Sequence, residues 1–263
     1  MSITSHQQRL LTAGVLILLL AGLIFAAPPV VQAGALAVLC LATLLEFWTM
    51  FWPGWRWIKG LGLALALGVV LGPGLGWTMG GTLLASFWLL ALVYALWARQ
   101  RDTPWEELAV VLAGLAYIPG SLHFLFFFSQ VELLVVLLAA AASDTGAFYG
   151  GSRWGKRKLC PSISPKKTWM GSVCGLGACV LVSLGLGLIW GQGPWYVWIG
   201  LGVVLNMAAQ VGDLFESALK RELGIKDSGG LLPGHGGVLD RVDSLLLIIP
   251  VYMAIRSMYP LWG

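Results

Sequence analysis

Long apolar runs alternate along this chain with short breaks of charge, proline or glycine, and the runs have the length of membrane spans. A helix needs about 20 apolar residues to cross a bilayer, and the pattern predicts about nine of them. Their limits are roughly 10–27, 30–51, 58–72, 78–98, 105–128, 131–149, 169–190, 195–218 and 244–260. Glycines interrupt the third, and Pro73 ends it. Arg9 precedes the first run, but the basic region is thin and the run is long, so it reads as a span and not a cleaved signal. The expected fold is an all-α polytopic membrane protein, one domain over 1–263, with no repeat of fixed period.

Composition strengthens that reading. The chain is 58% hydrophobic and only 11% charged, against about 25% charged in soluble proteins. The placement of charge then sets orientation. With the N-terminus cytoplasmic, 15 of the 16 basic residues fall on inner segments, and none on the outer loops near 28–29, 73–77, 129–130 and 191–194. The exception, Arg256, lies near the end of the last span and can snorkel to the interface. The C-terminus is then outside, and the two long charged loops, 150–168 and 219–243, face the cytoplasm, where nucleotides are found. The net charge of +4 is modest and points to no nucleic-acid partner. Cys40, Cys160, Cys174 and Cys179 lack C-x-x-C spacing and read as apolar packing residues. Tryptophans near span ends, among them Trp52, Trp55, Trp57, Trp77, Trp105 and Trp195, suit an aromatic belt.

Chemistry concentrates in one place. Of the 12 acids, Asp213, Glu216, Glu222, Asp227, Asp240 and Asp243 cluster around the second loop. An acid at the end of a span is a functional candidate by default. On a helix Asp213, Glu216, Ser217 and Lys220 share one face, and Asp240, Asp243 and Ser244 repeat that spacing at the start of the last span. Between them run Lys220-Arg221, Ser228-Gly229-Gly230 and Pro233-Gly234-His235-Gly236-Gly237. Carboxylates supply hard ligands for Mg²⁺, Lys and Arg neutralise phosphate, and glycines let backbone N–H groups approach an anion. The competing reading is a solvated, salt-bridged loop. His123, inside span five, reads as a buried histidine; Glu46 and Glu132 are interfacial acids without an assigned purpose; Gly171-x-x-x-Gly175 fits close helix packing or a subunit contact.

From Ser217-Ala-Leu-Lys220-Arg221 through Lys226-Asp227-Ser-Gly229, Leu232-Pro233-Gly-His235-Gly236-Gly237 and Asp240-Arg241-Val-Asp243, the chain resembles the signature of the phosphatidate cytidylyltransferases (CDP-diacylglycerol synthases). Ser143-Asp144-Thr145-Gly146-Ala147-Phe148, Ile163-Ser164-Pro165-Lys166-Lys167-Thr168 and Gly212-Asp213-Leu214-Phe215-Glu216-Ser217 resemble the family as well. The likeness covers 143–244, a catalytic region; residues 1–130 match only as apolar spans. One departure is Met170, where the family usually carries an acid.

The resemblance implies transfer of CMP from CTP to phosphatidic acid, giving CDP-diacylglycerol and pyrophosphate. It implies Mg²⁺ held by Asp213, Glu216, Asp240 and Asp243, and it leaves room for a second, monovalent ion. Lys220, Arg221 and Arg241 would bind phosphate oxygens, and Asp213, Asp240 and Asp243 complete the catalytic set. Substrate contacts would come from Ser143, Asp144, Ser164, Lys166, Lys167, Thr168, Ser217, Lys226, Asp227, His235, Gly236 and Gly237. The expected setting is a bacterial cytoplasmic (inner) membrane with the site facing the cytoplasm, and glycine-rich helices permit a homodimer. A CTP-dependent polyprenol-type kinase, a transporter and a non-catalytic scaffold are the alternatives. No paired inverted halves support the transporter.

Overall fold

The computed structural model describes residues 18–52, 54, 57–76, 89–90, 104–230 and 236–262; for 104 and 105 only the backbone is described. Residues 10–17 of the first expected span, all of 78–98 except 89–90, and Arg9, Arg56, Arg99, Arg101 and His235 lie outside these residues. Residues 18–25 are helical. The elements that follow are α1 (Pro29–Phe51), α2 (Trp57–Leu71), α3 (Pro104–Leu122), α4 (Gln130–Trp154), β1 (Lys158–Cys160), β2 (Ser164–Thr168), α5 (Trp169–Trp190), α6 (Trp195–Glu222), α7 (Leu239–Val242) and α8 (Leu245–Met258). Turns of 3₁₀ helix extend α2 over Gly72–Leu75 and α3 over His123–Phe127.

Among the described residues, six helices are long and apolar enough to cross a membrane, and they match six of the expected spans. In lipid, each backbone N–H and C=O must be satisfied within its own segment, which is why unbroken apolar runs become helices there. The ends carry local signals. Ser129 and Glu132 form a reciprocal capping box at the start of α4, and Thr168 caps α5 by accepting from the Gly171 N–H at 3.1 Å.

Three features depart from the sequence pattern. The helices α4 and α6 run past the expected limits to Trp154 and Glu222, carrying charged residues out of the span on rigid backbone. Within the loop 150–168, β1 and β2 pair antiparallel, with Lys158 opposite Thr168 and Cys160 opposite Ser164. The last expected span, 244–260, is met by the 14-residue α8, but Asp243 and Ser244 form a turn that separates it from α7, so Asp240, Asp243 and Ser244 do not share one continuous helix.

Small residues set the packing. Gly171 and Gly175 of α5 press on the backbone of α4: a Cβ on either would lie 2.7 Å from a carbonyl oxygen, that of Ala147 or Ser143. Gly146 approaches α5 reciprocally, at 2.8 Å from the Cys174 carbonyl. The Gly171–Gly175 pair is therefore spent inside the chain and not on a second subunit. Trp48 of α1 fills the space over Gly62 and Gly114, tying α1 to α2 and α3, and Trp198 of α6 covers Gly187 and Gly191. Both indoles are fully buried, whereas Trp57 and Trp195 at helix starts are exposed, as an aromatic belt requires. His123 is buried and its Nδ1 lies 2.7 Å from the Val69 carbonyl, joining α3 to α2.

Candidate active site

The C-terminal turns of α6 present their polar residues on one face, as their spacing predicts. Ser217 Oγ donates to Asp213 Oδ1 at 3.2 Å. Lys220 Nζ lies 3.3 Å from Glu216 Oε1 on the same helix and 2.6 Å from Asp240 Oδ1 on α7. That second pair joins the two acidic segments. Asp240 is held further by the backbone: the Ser228 N–H reaches Oδ1 at 3.3 Å and Oδ2 at 3.1 Å, and the Gly237 N–H donates to Oδ2 at 2.9 Å. Burial alone would raise the Asp240 carboxyl, but Lys220 and these N–H groups outweigh it and hold its pKa below the ordinary value.

The β-hairpin supplies the next cation. Lys167 Nζ sits 2.6 Å from Asp213 Oδ2. Asp213 thus orients Lys167, while Met170, at the position where the resemblance leads one to expect an acid, is exposed at the start of α5. Arg221, expected on phosphate, donates through Nε to the Ile163 carbonyl at 3.2 Å and through Nη1 to the Ile225 carbonyl at 3.1 Å. It pins the hairpin and the end of α6 together. Lys166, Lys226, Asp227 and Arg241 are exposed around the site, and Ser164 is half-buried in the hairpin.

Two expected substrate contacts are turned to internal work. Ser143 is buried and its Oγ donates to Asn206 Oδ1 at 2.9 Å, linking α4 to α6. Thr168 is buried as the α5 cap. By contrast Asp144, one residue on, is exposed and interacts electrostatically with Asp213, Asp243 and Lys167.

The acids fit a hard cation through their chemistry. Both Glu216 carboxylate oxygens are buried, with the Lys220 ammonium 3.3 Å from Oε1 as an ion pair, and Glu216 interacts directly with Asp243. Burial raises the Asp243 carboxyl above its ordinary value, and the nearby Asp213 carboxylate acts the same way. Such crowding of carboxylates favours a bound cation. Among the described residues, no three His, Cys, Asp or Glu side chains are disposed as a complete ligand set. Mg²⁺ characteristically takes one or two carboxylates and completes its shell with substrate phosphates and water, so two converging acids suffice. Asp240 stands apart from them, since Lys220 and two backbone N–H groups occupy its oxygens.

A family model described as the cytidylyltransferase family matches residues 7–259. The chain belongs to that family. It is 34% identical to a phosphatidate cytidylyltransferase of Staphylococcus epidermidis over 85% of this chain and 91% of the relative. It is 41% identical to one from Rickettsia prowazekii over 65% and 81%, and 38% identical to one from Staphylococcus aureus over 62% of this chain. The last match spans 64% of the relative's length, a little less than two thirds.

In this cytidylyltransferase-family chain, one residue beside the site had no role assigned from the sequence. Glu46 of α1 is 4% exposed and lies against the second charged loop, 219–243: its Oε2 accepts from the Leu239 N–H at 2.9 Å and from Ser228 Oγ at 3.3 Å. Gly229 and Gly237 are needed here, because a Cβ on either would come within 2.6 Å of a Glu46 carboxylate oxygen. An anion was expected at this glycine-rich turn. The one these two glycines approach belongs to the protein. The only signal in the sequence was an acid in an apolar run without a neighbouring partner.

Proposed function

We propose that the chain is a phosphatidate cytidylyltransferase acting at the cytoplasmic face of a bacterial inner membrane. The observation that carries this reading is the Lys220 lattice: one ammonium fixed between Glu216 and Asp240, beside the Lys167–Asp213 pair, at the end of a membrane helix in a chain of this family. Two positioned ammonium groups beside crowded carboxylates are suited to a polyphosphate and a metal ion at the bilayer surface.

A phosphate oxygen of phosphatidic acid attacks the α-phosphorus of CTP. The new P–O bond forms as the bond from the α-phosphorus to the bridging oxygen breaks, and pyrophosphate leaves with the electron pair. The nucleophile is already ionised near neutral pH, so the protein supplies position and charge and not a strong base. Lys220, held in place by Asp240, lies where it can meet phosphate oxygens. Lys167 can exchange Asp213 for a phosphate when substrate enters. Glu216 and Asp243 would hold Mg²⁺, with Asp213 and Asp144 close by, and the ion would supply neutralisation of the phosphates and of the charge developing on pyrophosphate. The acyl chains stay in the bilayer while the headgroup reaches the site from the membrane plane.

Purified protein supplied with phosphatidic acid, Mg²⁺ and CTP labelled in the cytidine should yield a labelled, organic-extractable lipid. Label reaching lipid only from γ-phosphate-labelled CTP would replace this reading with a CTP-dependent lipid kinase, and no labelled lipid from either would refute both.

A further inference from the structure

We propose that Glu46 is a positioning residue for this reaction: from the N-terminal half of the chain it holds the catalytic loop in register with α6. The proposal rests on the cytidylyl-transfer reading above. Glu46 grips the loop at both ends, through Ser228 Oγ on one side and the Leu239 N–H on the other. Those ends are the ones that serve Asp240, through the N–H groups of Ser228 and Gly237. One loop is therefore bound by two carboxylates, Glu46 from α1 and Asp240 from α7, and Asp240 in turn fixes Lys220 at 2.6 Å. Asp243 follows Asp240 by less than one helical turn, so its placement depends on the same anchor.

Glu46 is 182 residues from Ser228 and 193 from Leu239 in the chain. Its carboxylate is buried, and Gly229 and Gly237 leave room for it and no side chain of their own. The hydroxyl and N–H it accepts from are its described hydrogen-bond donors, and Oε1 has no partner among the described residues. Its reach stops at the loop, so it acts on the reaction only through the groups the loop carries. Displacement of such groups by about 1 Å costs on the order of 10²-fold in rate.

The test compares the wild-type protein in lipid nanodiscs with Glu46→Ala, Glu46→Gln, Ser228→Ala and the Glu46→Ala/Ser228→Ala double variant. Turnover and amide hydrogen exchange at Ser228 and Leu239 are the readouts. Glu46→Ala should lower kcat by about 100-fold and speed exchange at both amides. Glu46→Gln keeps an acceptor oxygen and should recover to within about tenfold of wild type. The double variant should be little worse than Glu46→Ala alone, since Glu46→Ala already removes the contact that Ser228→Ala breaks. Wild-type turnover in Glu46→Ala, unchanged exchange at Leu239, or equal loss in Glu46→Gln with exchange accelerated throughout the protein would each overturn the proposal. If the wild type made no cytidine-labelled lipid, the assigned reaction would fail, whereas the exchange data would still decide whether Glu46 holds the loop.

Discussion

Two buried glutamates stand at opposite ends of this helical bundle, and their surroundings differ in kind. Glu132, 2% exposed at the start of α4, pairs with Arg256 Nε at 2.9 Å and accepts from Tyr252 OH at 3.1 Å and from the Ser129 N–H at 2.7 Å. Arg256 itself donates to the Phe127 carbonyl at 2.6 Å, and Trp262 Nε1 donates to Tyr252 OH at 2.6 Å. Charge, hydroxyl, indole and helix cap close on one another there, fastening α4 to α8. Glu46, by contrast, accepts from a hydroxyl and a backbone N–H on the loop whose ends also hold Asp240. A carboxylate saturated by a cation serves the fold. One that accepts from a loop backbone serves the placement of whatever that loop holds.

That contrast can be broken or sharpened by substitution, beginning with the largest effect. Asp243→Asn removes a group that the Glu46 loop delivers; it should cut turnover by about 10³-fold or more and leave the Leu239 amide exchange as in wild type. Near-normal turnover would take Asp243 out of the site. Glu132→Ala should instead lower stability by about 2–3 kcal/mol, near the lower end for breaking a buried pair because Arg256 is about one-third exposed. Its turnover at a permissive temperature should stay close to wild type, and a large kinetic loss with an unchanged unfolding midpoint would erase the distinction.

Asp240 gives a subtler effect. Because its folded pKa is depressed, its contribution to stability is full above its unfolded value of about 3.9 and is lost as pH falls through the lower folded value. Wild-type stability should therefore be insensitive to this group above about pH 5, and Asp240→Asn should flatten the loss of stability seen on further acidification. An unaltered acid limb would place the depressed carboxyl elsewhere. The smallest change is expected for Arg221→Ala, roughly threefold or less in turnover, because its guanidinium is engaged with two carbonyls on the exposed surface. A loss above about 100-fold would return Arg221 to the phosphate-binding set.

Much of the architecture was legible from one-dimensional pattern. Apolar runs marked the six membrane-length helices, since a bilayer filters sequence by hydropathy and length before any packing is decided. The α6 face of Asp213, Glu216, Ser217 and Lys220 followed from helical spacing, whereas the Lys220–Asp240 pair that links it to α7 did not, because the two lie 20 positions apart across a glycine-rich loop. The β-hairpin was not anticipated, because Ser164 to Thr168 carries proline and two lysines in place of a strand's apolar alternation. Nor was the turn at Asp243 and Ser244 that sets α7 apart from the last span, because the i, i+3, i+4 spacing of Asp240, Asp243 and Ser244 suggests one continuous helix.

By itself, then, the sequence determined a membrane-embedded helical protein with a charged, glycine-rich loop of cytidylyltransferase type, because hydropathy, helical period and motif spacing are local properties of the chain. Tertiary structure alone decided which of the polar residues meet. It turned Ser143 and Thr168 inward, placed Arg221 on carbonyls and Lys167 on Asp213, and brought Glu46 across 193 positions to the Leu239 N–H. Contacts of that separation depend on how α1 packs beside α7 and on two glycines that leave room for a carboxylate, and no periodicity along the chain encodes them.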